Sequence, residues 1–574
     1  MASLLSLTES TLVNLGLNVV ISTGLLLGGI YVFTQLKCWY DLYEYDRGDK
    51  TGILRPPQIP YALPWLGNSL AFAVKEPQKF WKQLFSWYPQ AVGACTIVLG
   101  GQNTNVLFNR YAVSYLMKDR DLGREIFNID AVNKGFGLTL EESQLYYEAN
   151  VVRGVKDKDR PDHPEGQKVS VEYLLRSDRV NELTAKFLEV FRELLIENPL
   201  PREPINMYSW ARTLMFRSSI TALMGSRLLE VFPDFEAHFY QFDSDVQAMF
   251  FSTPKWMMPG AFVNRDKVLD TLVKWHDVVI SETNDTIADP DTVAWDPYYG
   301  SRITRKRQQY YREIGLERKL AWAGLDLGLM FAIASNAVPA TGWMLMHILQ
   351  SVSNPPQSPE ESLYTHVTSE IITARNEDGT FDISKLCALP IFNSTFSETL
   401  RLYADTLINR MLPYDLTLPL SDPKSTKQRS IAMKKGDIIM APSWPAHHDH
   451  QTWTEQFPHL PPPDQFYPYR FLTKHPDDKE VEGDKMEFTT THATGMYFPF
   501  GGGKTMCPGR TFAKQEIMAA VAIILCEFDL KPLGYVDENG NESKEFPIVK
   551  DCMPGTAIMA PKGDVKVSVK QRNK

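Results

Sequence analysis

Residues 498–516, FPFGGGKTMCPGRTFAKQE, set Gly501, Gly502 and Gly503 ahead of Cys507 and the start of a helical pattern. A glycine run costs folding entropy, so it marks backbone that must bend tightly or approach another group closely. A metal-bound sulfur has matching needs: it must stay deprotonated, be shielded from solvent and accept backbone N–H bonds that tune its donor strength. A glycine-rich turn leading into a helix supplies those amides, and the helix N-terminus adds positive potential. Phe500 would cover the sulfur, while Pro508 and Gly509 let the chain swing into a helix carrying Phe512, Val521 and Leu525. A cysteine on its own reads as a small apolar core residue. This spacing reads instead as a metal ligand.

The pattern F-x-x-G-x-x-x-C-x-G from Phe500 to Gly509, with Arg510 and Ala513 after it, resembles the haem-thiolate signature of the cytochrome P-450 superfamily. The resemblance implies a mainly α fold with small β-sheets, and haem b with Cys507 as its axial thiolate in a pocket shaped by Phe500, Gly503 and Gly509. Two further marks of that superfamily occur upstream in the right order. Glu398 and Arg401 in FSETLRLYA form an E-x-x-R pair, and Arg470 in FYPYRF completes the network. Their implied role is structural. Two other E-x-x-R matches, Glu44/Arg47 and Glu189/Arg192, lie at positions where such pairs are ordinary. Arg410 stands where relatives hold a haem propionate. Thr505 departs from the Arg or His often found two residues before the cysteine, which leaves more of that task to Arg410. The segment AHHDH, 446–450, has metal-ligand side chains, but neighbouring residues on one loop rarely converge on one ion. It is read as structural.

The central helix departs from the superfamily's acid–alcohol pair. Along FAIASNAVPAT, Ser335 takes the place of the acid and Asn336 that of the threonine, so these two are the expected catalytic side chains and Asn336 is expected to face the haem. Pro339 removes a helix hydrogen bond nearby. The run N-x-x-P-A-T-x-W resembles the branch of sterol 7α- and 12α-hydroxylases and prostacyclin synthase, in a fungal-type chain. Two activities follow from that likeness. One is a monooxygenase that takes electrons from NADPH through a reductase, with cytochrome b5 as a further donor, and acts on a bulky lipophilic substrate such as a sterol, terpenoid or secondary-metabolite intermediate. The other is an isomerase or dehydratase of a peroxide, which needs no outside electrons. Lys504, Arg510 and Lys514 are candidate contacts for the reductase, and VQAMFFSTPKWMMPG, 246–260, for substrate or membrane.

These residues need a large scaffold. The stretch 180–197 sets Leu183, Phe187, Val190, Phe191 and Leu194 on one helical face, and 321–350 is apolar nearly all round, as a helix through a large core would be. A second membrane span is the rival reading of 321–350, disfavoured by Asp326, Asn336 and Pro339. The runs 430–442 and 564–572 read as small sheets, and 153–168 as an exposed charged loop. Near the N-terminus no acidic or basic residue occurs from Ser10 to Leu36, longer than the roughly 20 residues that cross a bilayer. The reading is a lumenal tail over 1–10, a transmembrane anchor over 11–36, a proline-rich hinge over 37–68 and a cytosolic catalytic domain over 69–574. Lys37, Arg47, Lys50 and Arg55 follow the span, which keeps the body cytosolic, here at the endoplasmic reticulum.

Composition bounds the rest. Of the 574 residues, 44% are hydrophobic and 22% charged, as in a globular protein, and the net charge of −9 argues against a nucleic-acid partner. The six cysteines show no CxxC pair, which fits a reducing compartment and makes a special cysteine a ligand rather than half of a bridge.

Overall fold

The longest apolar run of the body becomes one helix, Lys319–Ser353, and the rest of the chain is built around it. A computed structural model describes residues 2–47, 53–73, 77–87, 93–119, 121–147, 165–197, 203–353, 362–426, 428–474 and 486–572. The central helix is buried along most of its length, so its membrane-span rival is set aside by packing: it is the core helix. Helices Met207–Met224, Pro259–Thr283 and Arg510–Glu527 pack on it, Ser177–Glu197 packs on the first and last of these, and all join one large apolar cluster. The expected face of 180–197 is observed, with Leu183, Phe187, Val190 and Phe191 buried and Leu194 at the edge. Gly324 permits one close crossing, since a Cβ there would stand 2.2 Å from the Phe136 carbonyl oxygen.

The sheets are small and lie to one side. Ala94–Leu99, Gln102–Leu107, Ile438–Pro442 and Leu407–Met411 make a four-stranded sheet in which Arg410 is paired with Ile439. Ser430–Met433 pairs with Leu416–Pro419, and Asp564–Gln571 with Phe528–Val536, so both expected β regions are strands. The short pair Ala557–Ile558 and Ala404–Asp405 brings Ile558 against the central helix.

Three expectations are revised. The N-terminal helix runs unbroken from Ala2 to Arg47, so the first part of the expected hinge is helical. The proline-rich stretch is not a free spacer: Pro57 accepts from Thr96 N–H, Ile59 donates to Thr96, and Asn68 donates to Val98, which lays it along the sheet. Proline lacks a donor but keeps its carbonyl, so it suits such an edge. In the expected loop 153–168, residues 165–168 begin the helix Glu165–Leu175, and the remainder lies outside the described residues.

Candidate functional site

The glycine run is explained by two contacts with the helix Arg110–Lys118. Gly503 has φ 70°, and a Cβ on it would lie 2.5 Å from the Met117 carbonyl oxygen; a Cβ on Gly502 would lie 2.5 Å from Met117 Cγ. Gly501, with φ 71°, turns the chain so that Cys507 N–H donates to the Phe500 carbonyl at 3.0 Å. The loop closes on itself and presents the sulfur beside the start of the helix Arg510–Glu527. Burial pushes the Cys507 thiol up, while amide donors at Gly509 and Arg510 and the guanidinium charges of Arg124 and Arg510 favour the thiolate. The Arg510 guanidinium also donates to the Cys507 carbonyl at 2.9 Å.

Cys507 opens onto a cavity of about 410 Å³ between this loop and the central helix. Phe500, Gly509 and Arg410 line it, and from the central helix so do Leu329, Ala332, Ile333 and Asn336. Gly503 is not among the lining residues; it shapes the loop through its positive φ. Asn336 faces the cavity as expected, and it is also held in place. Its Nδ2 donates to the Ala332 carbonyl at 2.8 Å and its Oδ1 accepts from Ile558 N–H at 3.1 Å. Ser335 is not brought to this cavity. Its Oγ lies 2.5 Å from Asp243 Oδ1 and lines a second, smaller cavity on the other side of the helix. Successive helical residues point about 100° apart, so the two positions cannot share one face.

Arg410 is 3% exposed, and no carboxylate pairs with it among the described residues. It donates to the Gly502 carbonyl at 3.2 Å and to Thr505 Oγ1 at 2.5 Å, so the departure at Thr505 orients Arg410. Burial, then the neighbouring Arg124 charge, pushes it down to about 10. Three cations, Arg124, Arg307 and Arg410, thus line a largely apolar cavity that has a recessed thiol on its wall. The Glu125 and Asp119 charges act on Arg410 in the opposite direction but neither pairs with it, so a buried guanidinium here suits an anion. A haem fits this donor set, with the thiolate for its iron and Arg410 with Arg124 for its propionates. Arg124 was not legible as a site residue: it sits alone before the helix Glu125–Phe136, in no motif.

Glu398, Arg401 and Arg470 form one buried ion network. Arg401 Nε and Arg470 Nε donate to the Glu398 carboxylate at 2.7 and 3.1 Å, and Tyr467 N–H adds a bond at 2.9 Å. Both arginines then hold carbonyls of the 447–465 segment, including His447, Pro461 and Pro463. His447, from the AHHDH segment, is a strut and not a ligand. Its Nε2 accepts from Phe498 N–H at 3.1 Å, so its Nδ1 carries the proton and donates to the Arg401 carbonyl at 3.0 Å. Burial holds it neutral, down to about 3. No cluster of three metal-ligating side chains occurs among the described residues. The network therefore grips the cysteine loop through one imidazole.

The stretch 246–260 does not line the Cys507 cavity. Phe250 packs on Phe136 and Phe331, while Trp256 is 78% exposed. Of the cations considered for a redox partner, Arg510 is turned inward and Lys514 lies 5.8 Å over the Phe488 ring.

The sequence model of the cytochrome P450 family matches residues 329–551. The chain is 27% identical to the cytochrome P450 monooxygenase fsoE of Humicola fuscoatra, over 94% of this chain and 92% of that protein. It is 28% identical to the cytochrome P450 monooxygenase calL of Penicillium decumbens, over 70% and 71%. Cytochrome P450 7A1 of Oryctolagus cuniculus is 26% identical, over 69% and 73%.

Proposed function

Because the chain belongs to the cytochrome P450 superfamily, as a fungal-type monooxygenase with 7α-hydroxylase-like relatives, we propose that it inserts one oxygen atom into a bulky lipophilic substrate, a sterol, terpenoid or similar polycycle, with electrons from NADPH through a reductase. The observation that carries this reading is the Cys507 sulfur, with amide donors at Gly509 and Arg510, facing an apolar cavity whose far wall is the central helix. Haem b bound there supplies the activation of O₂, one atom going to substrate and the other to water. Cys507 would hold its iron through the thiolate. Phe500 limits solvent at the sulfur, and Arg410 with Arg124 holds the propionates. Asn336 shapes the oxygen side of the cavity and fixes Ile558 beside it. The apolar lining, Val132, Phe136, Leu329 and Ile333 among others, selects substrate by shape and burial.

The long N-terminal helix is apolar and exposed over Gly16–Glu44 and serves as an anchor in the endoplasmic reticulum, with the body in the cytosol. The reductase, or cytochrome b5, would dock by charge on the cysteine side of the body, where Lys504 contributes and Arg510, turned onto the Cys507 carbonyl, does not. Substrates of this class place the protein in secondary metabolism. The peroxide-isomerase reading gains no support from relatives named monooxygenases. The test is the carbon-monoxide difference spectrum of the reduced, full-length protein: the band of thiolate-ligated haem is expected, and Cys507→Ser should abolish it. NADPH and reductase should be needed for turnover of any compound that shifts the ferric Soret band. A thiolate band that survives Cys507→Ser, or turnover without a reductase, would overturn the reading.

A further inference from the structure

Monooxygenation consumes protons as well as electrons: substrate, O₂, two electrons and two protons give hydroxylated product and water. The Cys507 cavity has no group suited to supply those protons. Among the described residues its ionisable lining is Arg124, Arg307, Arg410, Tyr146, Tyr147 and Cys507. Arginine does not give up its proton in proteins, burial holds both tyrosines above their ordinary range, and the thiolate is the axial ligand. Among the described residues no carboxyl, imidazole or amine lines the cavity.

A second cavity, of about 180 Å³, lies on another face of the central helix. Asn336 lines the first and Ser335 the second, and Ile558 lines both. Ser335 Oγ is hydrogen-bonded at 2.5 Å to the carboxyl of Asp243, at the end of the helix Phe235–Asp243. The helix is also chemically open at this turn. Pro339 has no N–H, so the Ser335 carbonyl, four residues earlier, lacks its helical donor. Residue 335 thus offers a hydroxyl to the second cavity and a carbonyl without its helical donor.

We propose that Asp243 is the proton relay of the Cys507 cavity, acting through Ser335. In the structure Ser335 Oγ donates to the Asp243 carboxylate; once Asp243 is protonated and the hydroxyl has turned, the carboxyl gives its proton to Ser335 Oγ as the hydroxyl releases its own, through solvent, toward the Asn336 side. The resulting carboxylate takes a proton back from water in the second cavity, so nothing is consumed but solvent protons. This inference rests on the monooxygenase reading. The surroundings of Asp243 suit the task. Burial pushes its carboxyl up to about 6, with the Ser335 bond and the Lys550 charge acting in the opposite direction. A group poised near neutral pH can both give and take a proton. The other ionisable groups on this cavity are Tyr208 and Arg212 from the helix Met207–Met224, Tyr240 from the helix of Asp243, Asp245 just after it, and Asp551 and Cys552 beside Lys550. Asp243 is a positioning residue in this account, since it reaches the chemistry only through Ser335.

The test uses the full-length haem protein with Asp243→Asn, Asp243→Glu and Ser335→Ala. Infrared difference spectra between about pH 5 and 8 should show a protonated carboxyl band that titrates near 6 in the parent, is lost in Asp243→Asn and shifts in Ser335→Ala. With reductase and NADPH but no added substrate, the second readout is hydrogen peroxide formed per NADPH consumed. In the parent this fraction should rise as pH is raised through about 6. In Asp243→Asn and Ser335→Ala it should be several-fold higher at low pH and flat, with Asp243→Glu restoring the slope. A merely structural Asp243 would change stability without moving this partition. If Asp243→Asn does not assemble with haem, Ser335→Ala, which keeps the carboxyl, decides alone. An unchanged peroxide fraction and slope in Ser335→Ala, or no carboxyl band near pH 6, overturns the relay. A parent that oxidises no NADPH removes the monooxygenase reading, and the relay with it.

Discussion

Arg410 is a buried cation whose side-chain hydrogen bonds go to carbonyls and one hydroxyl. Taking a guanidinium out of water is costly unless a partner returns the solvation, yet Arg410 finds only carbonyls and the Thr505 hydroxyl. If it holds a propionate, Arg410→Leu should weaken haem retention roughly 10- to 100-fold, the equivalent of about 1.5–3 kcal/mol for a hydrogen bond to a charged group. Because the variant removes an uncompensated charge, the melting temperature of the haem-free protein should not fall. Haem transfer to an acceptor globin and apoprotein melting measure the two effects separately. A drop in apoprotein stability with unchanged transfer would make Arg410 structural. Glu398 is the opposite case, a buried charge with every partner in place. Arg401 and Arg470 hold its carboxyl below the ordinary range against the cost of burial. The sign follows: stability from Glu398 is complete above the unfolded value of about 4.3 and is lost as pH falls through the lower folded value. Glu398→Gln strands two guanidinium groups and should cost about 3–5 kcal/mol. Chemical denaturation at neutral pH checks this, with loss of the acid limb as its signature.

At the scale of elements, what could be read from the sequence was what is local along the chain. The cysteine loop announced itself because its glycines, its thiol and its helix start lie within a few residues. The E-x-x-R helix and FYPYRF were recognisable for the same reason. The face of Ser335 was not, because a helix apolar all round gives no periodicity from which to orient it. Nor were Arg124, His447 and Asp243, whose roles come from contacts that only the folded chain makes; Asp243 and Ser335 are 92 residues apart. The proline-rich stretch looked like a spacer because composition reports stiffness and not the sheet edge it meets. Glu516, in the helix Arg510–Glu527, belongs to no motif. It is fully buried; Ser219 Oγ donates to one of its oxygens at 2.7 Å and the other has no partner. Burial pushes it up to about 8, with the Ser219 bond opposing. The folded state therefore keeps a proton that the unfolded chain releases near 4.3. Stability should fall as pH rises between those values, by about 1.4 kcal/mol per unit. Glu516→Gln should remove that slope and raise stability near pH 8, as urea melts across the range would show. A slope that persists in the variant would mean the carboxyl is ionised in place.

For the whole molecule, the question is how the anchor is joined to the catalytic body. A flexible hinge would let the body tumble at the membrane surface, but the structure has no such break in the helix Ala2–Arg47. Thr34, Cys38 and Leu42 recur every four residues and so share one face, and all three are buried. Thr34 Oγ1 donates to the Tyr61 carbonyl at 2.8 Å and accepts from Tyr61 N–H at 3.2 Å. Lys37 Nζ donates to Gln58 Oε1, whose backbone N–H donates in turn to Asp41. Cys38 and Leu42 enter the cluster of Ile59, Phe72 and Trp81. The last turns of the apolar helix are thus part of the body's core, and the span leaves the body at a fixed angle. Two truncations separate anchoring from folding. Removing residues 1–33 leaves this joint whole and should release the protein from membranes with its melting temperature unchanged. Removing residues 1–47 strips Leu42 and Cys38 from their cluster and should cost about 2–4 kcal/mol, since burying one leucine side chain contributes about 1.5–3. Equal stability of the two truncated proteins would return the joint to the status of a hinge.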